Sequence, residues 1–143
     1  MESLHYLLMK THSQLNRRIM AEAAALGLSP GQPKVLECLN TYGECNQKTI
    51  ARHCEIEQAT VGSILLRMER DGLVRRVQKD GNRRALYVSL TEKGVQAALQ
   101  VQQIFRQADA EITAGLSAEE RLCLQQILQK VCDAADQPER KSF

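Results

Sequence analysis

The chain has 143 residues, 43% hydrophobic and 25% charged, enough for one domain with a modest core. The net charge of +2 hides an uneven spread: residues 46–93 hold ten basic and six acidic side chains, whereas residues 94–143 hold five and seven. A basic block between neutral and acidic flanks points to a polyanion surface, and no apolar run approaches the ~20 residues of a membrane span.

In chain order, Leu4, Leu7, Leu8, Leu15, Ile19, Ala23 and Leu26 recur at helical spacing, and Gly27 can end that first helix. Ser29-Pro30-Gly31-Gln32 reads as a capping box with proline at the first helical position, opening a second helix faced by Val35, Leu36 and Leu39. Asn46 caps a third, short helix to about Cys54. A fourth follows Glu55-Ile56-Glu57, with Val61, Ile64, Leu65 and Met68 on one face and Arg67 and Arg70 off it. Asp71-Gly72 ends it.

The period then changes. Leu73-Val74 and residues 85–90 read as strands around the turn-forming Asp80-Gly81-Asn82, a hairpin. Thr91 caps a fifth helix running to about Ile112, and Ser117-Ala118-Glu119-Glu120 is a capping box that opens a sixth. Residues 137–143 are polar and expected to fray. The fold class is therefore mainly α with a small β-hairpin: a winged helix-turn-helix lobe over 29–93, with dimerisation helices at 1–28 and 94–136. The apolar faces of helices one, five and six exceed what one small domain can cover, so a second copy is expected to interleave with them.

The stretch IEQATVGSILLRMERDGLVRR from Ile56 to Arg76, then Asn82-Arg83-Arg84-Ala85 and Val88-Ser89-Leu90-Thr91-Glu92-Lys93-Gly94, resembles the MarR-type transcriptional regulators. Ser29-Pro30 before helix two and Asn46-Gln47-Lys48 opening helix three match as well. The resemblance spans essentially the whole chain. It implies a repressor that binds a pseudo-palindromic operator as a homodimer and is released by a small effector, aromatic acids being common family ligands.

In a helix-turn-helix the first turn of the second helix enters the major groove. Gln58 suits a bidentate contact to adenine, Ala59 and the Thr60 methyl suit a thymine methyl, and Ser63 lies one turn on. Glu57 fits better as an N-cap carboxylate. Arg67 can reach phosphate or base, or pair with Glu69 or Asp71. Lys79, Arg83 and Arg84 gather near the hairpin tip, where an arginine can read a narrow minor groove; Arg83 is the expected one. The family has Asp before the paired arginines where this chain has Asn82. Gly62, costing about 1 kcal/mol in mid-helix, either admits DNA closely or is tolerated. Asn46, Gln47 and Lys48 complete the expected DNA contacts.

For the effector, the resemblance directs attention to the cleft between the dimerisation helices and the lobe, with His5, Tyr6, His12, Arg17 and Tyr42 as candidates. The five cysteines are odd in number and contain no CxxC, as for reduced thiols in the cytoplasm, and the N-terminus lacks a signal-peptide pattern. Four read as small hydrophobes. Cys45, in a polar stretch beside Gly43 and Glu44, is expected to be exposed and is the candidate redox thiol. No metal ligand set, cofactor motif or catalytic pair is recognisable, which argues against an enzyme. The alternatives are a thiol-responsive regulator of the same fold and a winged helix that binds protein instead of DNA.

Overall fold

The computed structural model describes residues 1–79 and 86–136. The order is α1 (Leu4–Ala25), α2 (Gln32–Tyr42), β1 (Cys45–Asn46), α3 (Gln47–Cys54), α4 (Gln58–Arg70), β2 (Val74–Gln78), β3 (Leu86–Leu90), α5 (Glu92–Ile112) and α6 (Ala118–Ala135). The caps explain most boundaries. Asn46 Oδ1 accepts from Thr49 N at 2.8 Å, Thr91 Oγ1 accepts from Gly94 N at 3.0 Å, and Ser117 and Glu120 form a reciprocal capping box.

Helix α2 starts later than the sequence pattern implies. Gln32 N donates to Ser29 O at 3.1 Å, and Gly31, at φ 89°, is left-handed, so residues 29–32 form a turn with Pro30 at its second position. Only the reverse half of the expected capping box survives, with Gln32 Oε1 accepting from Ser29 N at 3.2 Å. The proline in the first helical turn is Pro33.

The sheet has three strands rather than two, in the order β1-β3-β2 and antiparallel throughout. Cys45 stands opposite Val88, and Arg76 stands opposite Val88 from the other side. The expected start of the second strand at Ala85 lies outside the described residues, as does the turn at Asp80-Gly81-Asn82. One core unites the lobe with α5: Val35 and Leu36 from α2, Ile50 from α3, Val61, Leu65 and Met68 from α4, Val88 from β3, and Ala98 and Val101 from α5. The first half of α5 is thus part of the lobe's own core.

Helices α1 and α6 are different. Among its described residues α6 buries none, and α1 buries only Ala23. Leu4 and Met9 of α1 are 74% and 57% exposed, and Leu122, Ile127 and Val131 of α6 are each more than half exposed. Faces of this size rarely stay wet on a soluble chain.

Candidate nucleic-acid interface

Helix α4 presents two opposed faces. Val61, Leu65 and Met68 are fully buried. Ala59, Ser63, Leu66 and Arg70, spaced four, three and four residues apart, share the opposite face and are all exposed. The first turn, Gln58, Ala59 and Thr60, stands clear of the protein. Glu57 occupies the N-cap position, but its side chain makes no capping bond, so the capping role expected for it is not realised. The amides of this turn therefore keep their hydrogen-bonding capacity for an outside acceptor.

Helix α3 braces α4 from behind. Gln47 Nε2 donates to Gln58 O at 3.2 Å, and a Cβ on Gly62 would lie 3.2 Å from that same nitrogen. The glycine thus makes room for Gln47. Asn46 spends its side chain on its own helix cap. Of the three residues expected at the start of α3, two serve the fold and Lys48 is the outward one; with Arg52 it borders a groove that runs to Gln58.

Arg67 pairs with neither Glu69 nor Asp71. Glu69 instead takes a two-point contact from Arg76 of β2, at 3.2 and 3.3 Å, and Asp71 lies 3.6 Å from Arg70. The Arg76 guanidinium holds the Glu69 carboxyl below its usual range. This pair ties α4 to β2. The other end of the joint is backbone: Thr91 Oγ1 donates to Gly72 O at 2.5 Å and Lys93 Nζ to Asp71 O at 2.7 Å. Lys79, at the end of β2, sits 2.5 Å from Glu44 and 5.4 Å from the centre of the Tyr87 ring. Arg83 and Arg84 lie outside the described residues.

The expected effector residues do not converge. Among them only His12 borders the cavity of about 430 Å³ between α1, the α1–α2 turn and α5. Asn16, Ile19, Met20, Lys34 and Phe105 line it too, and the sequence reading missed them. Tyr42 stacks edge-on against His53 at 4.8 Å, Arg17 Nε donates to Ser13 O, and Tyr6 lies under Lys10, so these serve local contacts. His5 is exposed near the start of α1.

Cys45 is a correction. It is half-buried in β1, and burial together with the neighbouring Cys38 thiol pushes it up to about 11. Cys38 is likewise raised to about 11, chiefly by burial. A thiol so rarely ionised at neutral pH is a poor nucleophile, which counts against the redox role. Strand pairing with Val88 is what removed it from solvent. Among the described residues no His, Cys, Asp or Glu group is arranged to hold a metal ion.

A model of the MarR family matches residues 28–86. The HTH-type transcriptional repressor Rv2887 of Mycobacterium tuberculosis is 27% identical over 128 residues, covering 90% of this chain and 92% of that protein. The homoprotocatechuate degradative operon repressor of Escherichia coli is 42% identical over 67 residues, 44% of this chain and 45% of that one. Among solved structures, a probable transcriptional regulator from Pseudomonas aeruginosa aligns with a TM-score of 0.78 at 25% identity, over 91% of this chain and 97% of that chain.

Proposed function

We propose that the chain is a member of the MarR family, whose model it matches over residues 28–86, and that it is a sequence-specific, double-stranded DNA-binding transcriptional repressor acting as a homodimer in the cytoplasm. The observation that carries this reading is α4. Its first turn and outward face are exposed, its back is clamped by Gln47 and Arg76, and Lys48, Arg52 and Arg67 flank it. A rigid helix with cationic shoulders can enter a major groove while the shoulders meet phosphates.

The contacts proposed are Gln58, Ala59, Thr60, Ser63, Arg67 and Lys48, with Arg83 and Arg84 from the wing. Residues 29–93, joined by the first half of α5, form the reading lobe, and 1–28 with the rest of 94–136 supply the pairing helices. The uncovered apolar side chains of α6 and α1 fit a second copy, which doubles the base pairs read and sets a pseudo-palindromic site. An effector would enter the cavity that His12, Asn16 and Lys34 share with Ile19, Met20 and Phe105: the cation suits a carboxylate and the apolar wall suits a ring.

The test is enrichment of genomic fragments on the purified protein, followed by salt titration. Recovery of a short pseudo-palindrome whose log affinity falls with log salt by about 0.9 per neutralised phosphate is the expected result. No enrichment at low salt overturns the reading. A folded monomer at nanomolar concentration would sink the dimer. Benzoate or 4-hydroxyphenylacetate, added to the complex, should release DNA from the parent and not from a Lys34→Ala variant.

A further inference from the structure

Leu66 is an apolar side chain of α4 that the lobe's core leaves uncovered. It is 57% exposed at the centre of the outward face of α4, where a core leucine would be covered. Ala59, Ser63 and Leu66 form one strip, and the Ser63 hydroxyl is turned back onto Ala59 O at 3.4 Å. The strip therefore offers methyl and methylene surface, and no charged or amide group interrupts it before Arg70. From Ala59 to Leu66 it runs about 10 Å along the helix, close to three base steps and within the ~12 Å width of the major groove.

We propose that Leu66, with Ala59, is a specificity-determining residue that reads thymine 5-methyl groups in the operator. The proposal rests on the DNA-binding reading above and names what this face selects. Charge decides the occupant. Ser63, Leu66, Arg67, Glu69 and Arg70 border a single open groove of about 580 Å³, Glu69 being paired with Arg76, and Lys48 and Arg52 flank the other end of the helix beside Glu55 and Glu57. An apolar strip bracketed by cations matches a duplex, whose groove floor carries the methyl groups and whose walls carry phosphate, better than it matches an apolar protein surface. A guanine would instead call for an arginine or lysine in mid-strip, and an adenine for an amide; neither stands there.

The test uses the full chain and a selected operator duplex. Each thymine of the half-sites is replaced in turn by deoxyuridine, which keeps every hydrogen-bonding group and lacks only the methyl. Affinities of the parent and Leu66→Ala are measured by fluorescence anisotropy at fixed salt. At the contacted position the parent should lose about fourfold per half-site, or about fifteenfold with both substituted. Leu66→Ala should bind the thymine duplex about that much more weakly and should no longer distinguish the two bases. The cycle isolates this pair from any change in DNA stiffness, and an unchanged Tm shows that the variant folds. Equal binding of thymine and deoxyuridine duplexes by the parent overturns the proposal while the repressor reading stands. So does full discrimination retained by Leu66→Ala. Failure of the parent to bind any duplex overturns both.

Discussion

Replacing Gly94 with alanine tests the joint that fixes the wing against α5. Gly94 is buried in the first turn of α5, and a Cβ there would fall on the carbonyl oxygen of Leu73, with the carbonyl carbon 3.0 Å away and Leu90 Cδ2 at 3.2 Å. The obstacle is backbone, held at both ends: Leu73 N donates to Met68 O at 2.8 Å, and Leu73 O accepts from Thr91 N at 3.1 Å. Relief requires α5 and the start of β2 to separate. That strains the Thr91–Leu73 bond and the Thr91 cap on Gly94 N, each worth about 1 kcal/mol. Overpacking adds about 1–3 kcal/mol, while alanine's better helix propensity returns about 1 kcal/mol. The net expectation is a loss of about 2–4 kcal/mol, or roughly 7–13 °C in Tm. Urea and thermal unfolding by circular dichroism, at one fixed protein concentration because a dimer's stability depends on it, give the measurement. Gly115→Ala is the control: a Cβ there meets nothing within 4 Å, so it should stay within about 0.5 kcal/mol of the parent. If Gly94→Ala matches that control, the contact at Leu73 is not the constraint described.

Three further outcomes follow from the geometry. Asn46→Ala removes the acceptor for Thr49 N and should cost about 1 kcal/mol by urea unfolding, with operator binding weakened no more than stability explains. Cys45, raised to about 11, should be about one part in ten thousand thiolate at pH 7; alkylation should be slow until the protein unfolds, and Cys45→Ser should respond to peroxide as the parent does. Glu69, whose carboxyl is depressed by Arg76, adds stability that is present above the ordinary glutamate range and is lost as pH falls through its folded-state value. The pair is partly exposed, so Glu69→Gln should cost only about 0.5 kcal/mol at pH 7 and nothing at pH 2, read from unfolding curves at both.

Much of the architecture was legible because its signals are local. A cap needs only residues within four positions, so Asn46, Thr91 and Ser117–Glu120 announce α3, α5 and α6 in the sequence, and the structure realises each. The buried stripe of α4 follows the same logic, since periodicity assigns Val61, Leu65 and Met68 to one face. The residues most open to ambiguity were those with two local uses. Ser29-Pro30-Gly31-Gln32 spells a capping box, yet the positive φ of Gly31 makes it a turn.

What the sequence determined by itself is the order of helices and wing, the basic centre, and the motif between Ile56 and Gly94 that carries the family resemblance. Tertiary structure decided the rest, because those features depend on partners distant in the chain. Cys45 looked exposed until Val88 paired with it and made a third strand. Gln47, expected at the DNA, also reaches across to the backbone of α4 at Gln58 O, a contact that spacing in the sequence does not reveal. The cavity took His12 but none of the other expected residues, because the rotation of α1 against α2 and α5 is set by their packing. Leu66 falls off the periodic face of Val61, Leu65 and Met68 in the sequence, but only the packing shows that it stays 57% exposed, since a helix cannot hide both faces against one core.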